Sequence, residues 1–170
     1  MGGRIVRRVG SSFWSGLALG AVAAVSLYLA QPRRQPISGD AVAIDGDSLR
    51  LGGVEIRLEG VDAPEYRQTC LRGGREEACG HEARQALAAL LASGGVRCDG
   101  SGRDRYGRTL AICTAGGRDL NREMVLAGHA VAVDAYHAEE QEARRWKRGV
   151  WATVFERPAD WRARHPRPVE

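Results

Sequence analysis

Lysine is nearly missing from this chain: Lys147 is the one lysine among 170 residues. Arginine offers a planar fork that grips phosphate bidentately, but the codon bias of a high-GC genome leaves the same mark. The imbalance alone therefore assigns nothing. Acidic residues are absent before Ser38, whereas Arg4, Arg7, Arg8, Arg33 and Arg34 all lie there. The surplus of +4 belongs to that lead; from Ser38 onward 20 bases face 21 acids, a net −1. Bulk charge thus gives no argument for a polyanionic partner, and only local placement of charge can. No close C-x-x-C pair occurs among Cys70, Cys79, Cys98 and Cys113, which speaks against a zinc centre of four thiolates. His81, His129, His137 and His165 lack metal-ligand spacing and read as surface or packing residues. There is no internal repeat.

What is present is enough chain for one domain with a real core plus an appendage. Residues 1–10 form a short basic lead. Residues 13–30 follow without a charge, near the lower limit for a helix that spans a bilayer. They read as an uncleaved signal anchor, with a cleaved signal peptide as the rival and a buried core helix as the plainest alternative. The basic lead stays in the cytoplasm on this reading, and the folded domain lies outside it, periplasmic or extracellular. It is secreted if the anchor is cleaved. Residues 31–38 hold two prolines and read as a linker. The expected organisation is a lead, anchor and linker over 1–37, a domain over 38–154 and a tail over 155–170. The tail is expected to lie on the domain or to lack order.

The domain opens with a meander. Val42 and Ile44, then Leu49 and Leu51, then Val54, Ile56 and Leu58 alternate with polar residues, with Asp45-Gly46 and Gly52-Gly53 as tight-turn pairs. Residues 66–80 show no useful periodicity and read as a loop. Ala83, Ala86, Leu87, Leu90 and Leu91 then mark one face of a helix over 82–92. Residues 96–99 and 109–113 read as strands. Asp119 caps a short helix to Ala127. Residues 138–148 form a charged helix with acids early and bases late, suited to the helix dipole. Its charges read as a solvated face, with Glu140 and Arg144 as an i, i+4 pair and Trp146 and Trp151 packed inward. Five short strands followed by helices suggest an α+β fold: a small barrel with helices beside it.

Across this frame runs a set of charges that alternation does not require. Asp47, Asp62 and Glu65 sit at strand mouths, Arg57 lies on a strand, and Pro64 stiffens the turn that carries Asp62 and Glu65. Acids held close beside an arginine suit a hard cation and a phosphate in one site. The motifs I-D-G-D-S (44–48), R-L-E-G-V-D-A-P-E (57–65) and D-R-Y-G-R (104–108) resemble, in order, those of the staphylococcal nuclease family. The resemblance covers residues 39–151.

That resemblance implies a five-stranded OB-type β-barrel with about three packed helices, here preceded by an N-terminal hydrophobic helix. It implies that Asp47, Asp62 and the backbone carbonyl of Ala63 hold Ca²⁺, a cation that takes six to eight oxygens. The family usually has threonine where Ala63 stands. Glu65 matches the residue that holds the attacking water, as general base or orienting group. Arg57 and Arg108 match the pair that clamps the scissile phosphate. Tyr106 and Tyr136 match tyrosines beside the nucleotide, while Asp134 replaces a second tyrosine of that region. Alone, D-G-D is an ordinary turn, Arg57 with Glu55 or Glu59 an ordinary surface pair, and Asp104 and Arg105 solvated loop charges. The motifs together set these readings aside.

Four cysteines in an exported domain suggest two disulfides, with three connectivities open. Cys98 and Cys113 lie on strands joined by the D-R-Y-G-R turn and can face each other. Cys70 and Cys79 would then close the loop after Glu65. The expected activity is Ca²⁺-dependent hydrolysis of DNA and RNA, on single or unstructured strands, by a monomer held at a membrane through residues 13–30. The implied cleavage of the 5′ P–O bond leaves 3′-phosphates. The first rival is a non-catalytic OB-fold module that binds single strands. The second is a structural or interaction domain of the cell envelope.

Overall fold

The computed structural model describes residues 36–166. The proposed N-terminal helix and anchor lie outside them. Strands β1 (Ile37–Ser38), β2 (Ala41–Ala43), β3 (Ser48–Leu51), β4 (Val54–Leu58), β8 (Arg97–Arg103), β9 (Thr109–Ala115) and β10 (Arg118–Asp119) form one seven-stranded sheet. Its order is β1-β8-β9-β4-β3-β2, with β10 added on β9. All its pairings are antiparallel except β4 with β9, which is parallel. Two small pairs stand apart: β5 (Val61–Asp62) with β11 (Val131–Ala132), and β6 (Cys70–Arg72) with β7 (Arg75–Glu77). Four helices complete the α+β fold among the described residues: α1 (Cys79–Leu91), α2 (Leu120–Leu126), α3 (His137–Arg145) and α4 (Pro158–Arg164).

Period-two burial builds the curved sheet. Leu49, Leu51, Ile56 and Leu58 face the core with Ala83, Leu87 and Leu91 of α1 and Leu120 and Met124 of α2. The phase on β2 differs from expectation. Ala43 is buried there and Val42 is 63% exposed, because the antiparallel register sets Val42 opposite the exposed Arg50. The expected counts of five strands and three helices are both too low. Two-residue strands such as β1 and β10 are too short to show a period. Helix α4 begins at Pro158 and carries arginines rather than an apolar stripe.

The loop expected over 66–80 contains the β6–β7 hairpin, closed by the Cys70–Cys79 disulfide. Cys98 and Cys113 are directly opposite on β8 and β9 and form the second disulfide. Asp119 caps α2 by accepting the Arg122 N–H at 3.0 Å, and Glu140 pairs with Arg144 at 3.1 Å. Trp146 does not pack inward: it is 62% exposed, because α3 turns Ala143 and the buried Glu140 to the interior instead. Trp151 sits edge-on to Phe155, with ring centres 5.1 Å apart.

Asn121 ties α2 to the sheet. It is fully buried, accepts the Cys113 N–H at 3.1 Å, and donates to the Glu59 carbonyl at 2.9 Å and the Ala111 carbonyl at 3.1 Å. These bonds join α2 to β9 and to the residue that follows β4.

Candidate functional site

The β2–β3 connection is a bend in which the Ser48 carbonyl accepts the Ile44 N–H at 2.8 Å and the Asp45 N–H at 3.3 Å. Gly46 is there for proximity rather than for a turn. A Cβ at Gly46 would lie 2.6 Å from the Ala83 Cβ and 2.7 Å from the Ala63 Cβ. The bend is thereby pressed against α1, and Asp47 is driven inward to 3% exposure. Its carboxylate accepts the Ser48 hydroxyl at 3.0 Å and the Ala63 N–H at 2.8 Å.

Arg57 bridges the two aspartates. One guanidinium nitrogen bonds Asp47 and the other bonds Asp62 at 2.8 Å. Strand pairing places it there, since Arg57 is opposite Ser48 across β3–β4. Burial pushes the Asp47 carboxyl up to about 7, against the downward pull of Arg57. Burial also opposes the Arg57 charge, but Asp47 and Asp62 outweigh it and raise its pKa. The structure thus gathers Asp47, Arg57 and Asp62 into one network at low exposure.

Glu65 follows on the turn after β5. Its backbone is held from two sides. Gln68, itself fully buried, accepts the Glu65 N–H on its side chain at 3.1 Å and gives its own N–H to the Glu65 carbonyl at 2.7 Å. Gly80 is the second residue of α1, and a Cβ there would lie 1.7 Å from the Glu65 carbonyl oxygen. Only a glycine lets the helix start so close to that turn.

Arg108 approaches from the β8–β9 turn. Asp104 organises that turn, accepting the Tyr106 N–H at 2.9 Å, the Arg108 N–H at 3.0 Å and the Arg108 side chain at 2.7 Å. Burial acts to raise the Asp104 pKa, but these bonds prevail and lower it. Asp104 is therefore a fixed anchor, not a solvated loop charge. It aims Arg108, which also reaches the Ser48 hydroxyl at 3.2 Å and so joins the Asp47 network. Tyr106 is 69% exposed beside it.

A cleft of about 1660 Å³ opens over these groups, lined by Arg57, Glu65, Tyr106 and Arg108. Tyr136 is not among its lining residues. Its hydroxyl instead donates to Asp119 at 3.1 Å, and burial followed by the Asp119 charge raises it to about 12. The sequence reading missed one wall of this cleft, which is formed by α4. Arg162 sends NH1 to Asp62 Oδ1 at 2.9 Å and to Glu65 Oε1 at 3.1 Å, and NH2 to Asp62 Oδ2 at 3.0 Å. No signal in the tail announces this contact, since its arginines resemble those elsewhere in the chain. Gln68 and Ser48 were missed too. Asp104 carried a usable signal in its i, i+4 spacing to Arg108.

Among the described residues, no three His, Cys, Asp or Glu side chains form a group that could hold a metal ion. The donors at hand are the carboxylates of Asp47 and Asp62 and nearby backbone carbonyls. As hard oxygens brought together by one guanidinium, they fit a cation such as Ca²⁺ in kind. Several of these oxygens now accept bonds from Arg57 and Arg162.

The family model described as staphylococcal nuclease homologue matches residues 55–153. The succinoglycan biosynthesis protein ExoI of Rhizobium meliloti (strain 1021) is 40% identical over 125 residues, 69% of this chain and 65% of that protein. An uncharacterized endonuclease of Haemophilus influenzae is 32% identical over 109 residues, 60% of this chain and 56% of that protein. The match thus spans less than two thirds of the length of either relative.

Proposed function

Because the chain belongs to the staphylococcal nuclease family, we propose that it is a Ca²⁺-dependent nuclease hydrolysing phosphodiester bonds of DNA and RNA. One observation carries the reading. Two buried aspartates, Glu65 and two arginines from separate strands and turns lie in a single connected network at the base of an open cleft. We read the curved sheet and its helices as the OB-type barrel of that family.

A phosphodiester is anionic, and its transition state gathers more charge on the phosphoryl oxygens. Arg57 and Arg108 both line the cleft, each able to give two-pronged bonds that strengthen as that charge grows. Asp104 and Asp47 hold the two guanidiniums before substrate arrives, so little ordering remains for the reaction. Glu65 faces the same space and holds a water by its carboxylate, taking a proton from it or orienting it. Its backbone is pinned by Gln68 and Gly80, which keeps that position constant. Asp47, Asp62 and the Ala63 carbonyl are the cation ligands in this proposal. A bound Ca²⁺ supplies positive charge beside the phosphate and lowers the cost of bringing an anionic strand to two carboxylates. Tyr106 is exposed enough to lie along a nucleotide. Tyr136, with its hydroxyl bonded to Asp119, is proposed to pack its ring against the base.

The reading extends to place. Two disulfides support a domain outside the cytoplasm, held at the membrane through residues 13–30. A monomer acting on single strands, cutting the 5′ P–O bond, completes it. The test uses full-length oxidised protein in a non-ionic detergent with single-stranded DNA. One arm contains Ca²⁺, one a chelator, and one Ca²⁺ with Glu65→Gln. Cutting is expected in the first alone. DNA retarded on a gel but uncut in every arm points instead to the binding module.

A further inference from the structure

Arg162 reaches this site from beyond the family match, which covers residues 55–153. It takes both oxygens of Asp62, at 2.9 and 3.0 Å, and one of Glu65 at 3.1 Å. Asp62 is only 5% exposed at its side chain, and it lies behind Arg57 and Arg162, which contact it and line the cleft. A divalent cation binds carboxylate oxygens at about 2.3–2.6 Å. That position lies within the space the guanidinium fills. One carboxylate edge cannot hold both.

The attachment of α4 makes this contact more than local. Among the described residues, the side-chain hydrogen bonds and ion pairs from α4 to residues before 155 all come from Arg162. Arg164 pairs with Glu156 and Trp161 stacks on His165, both within the tail. The Arg162 pKa is raised, first through its hydrogen bonds to Asp62.

We propose that Arg162 is a tethered counter-ion of the metal position: a divalent cation binds by displacing its guanidinium from Asp62, and α4 leaves the cleft wall as it does so. This rests on the reading of Asp47 and Asp62 as cation ligands. The cation-free protein is then closed by its own C-terminal helix, and cation entry clears the cleft for a nucleic-acid strand. Cation affinity is set by an internal competitor as well as by the ligands.

The experiment needs no substrate. Full-length oxidised protein in a non-ionic detergent is titrated with CaCl₂ by calorimetry, as wild type, Arg162→Gln, Arg162→Lys and Asp62→Asn. Hydrogen exchange of the α4 amides is followed in the wild type with and without Ca²⁺. Loss of a two-pronged charged pair is expected to tighten Ca²⁺ binding about tenfold in Arg162→Gln, with Arg162→Lys between it and the wild type. Asp62→Asn is expected to abolish binding, and Ca²⁺ to speed exchange in α4. Equal or weaker binding in Arg162→Gln, or unchanged α4 exchange, overturns the inference while the metal reading stands. Undiminished binding in Asp62→Asn, or no Ca²⁺ binding by any of the proteins, removes the metal reading and this inference with it. The exchange measurement uses the wild type alone, so it decides even where a variant fails to fold.

Discussion

Replacing Arg57 by methionine leaves buried Asp47 without its bridging cation, so it must stay charged at a cost or take up a proton. Asp47 is 3% exposed and keeps the Ser48 hydroxyl at 3.0 Å and the Ala63 N–H at 2.8 Å. Asp62 keeps Arg162. Breaking a buried ion pair from one side typically costs 3–5 kcal/mol, and these remaining bonds place the expected loss near the lower end, about 3 kcal/mol. In urea that lowers the unfolding midpoint by roughly 1.5–2 M. The sign with pH follows from Asp47. Its folded pKa is raised, to about 7 in the wild type with burial as the leading cause. The folded state therefore binds a proton that the unfolded chain does not between about pH 4 and pH 7. Stability from this group rises as pH falls through that window. Without Arg57 the raise is larger, so the penalty at pH 8 shrinks markedly by pH 5. The assay is urea unfolding of wild type and Arg57→Met at both pH values, in a chelator. A loss below about 1 kcal/mol at pH 8, typical of an exposed pair, refutes the account. So does a loss that is the same at pH 5.

Three further outcomes are expected. Gly80→Ala should destabilise the protein by at least about 1–3 kcal/mol, as overpacking does, where an unhindered helix position would gain about 0.5–1 kcal/mol. It should also lower any nuclease activity, and thermal unfolding beside a cleavage assay checks both. Asn121→Ala should cost about 2–4 kcal/mol, since it strips three bonds from buried backbone groups; chemical unfolding measures it. Asp104→Ala should cost about 1–2 kcal/mol, since it strips the turn's N–H groups and the Arg108 side chain of their acceptor. It should slow cleavage about tenfold or more by freeing Arg108, as read from single-turnover rates.

The local parts of the site were legible because its motifs are contiguous. Asp47, Arg57, Asp62 and Glu65 lie within 19 residues of one another, and D-R-Y-G-R carries both Arg108 and its anchor Asp104. Strand alternation revealed Leu49, Leu51, Ile56 and Leu58 as core. Reading failed where a role depends on a distant partner. Gly46 looks like a turn residue and is a contact with α1. Gln68 and Asn121 read as ordinary polar residues, yet each is fully buried and satisfies backbone groups that no local pattern exposes. Trp146 was assigned by residue type, but α3 turns Glu140 inward in its place.

The separation between Asp62 and Arg162 is 100 positions in sequence. A chain synthesised from its N-terminus makes the sheet strands around Asp62 long before Arg162 exists. Through that interval Arg57 is the guanidinium that Asp47 and Asp62 share among the described residues. Helix α4, made after the rest of the site, is the one that adds Arg162 to its charge balance. A messenger truncated before residue 158 would therefore yield a domain with its sheet and disulfide cysteines intact, and with Asp62 and Glu65 stripped of Arg162.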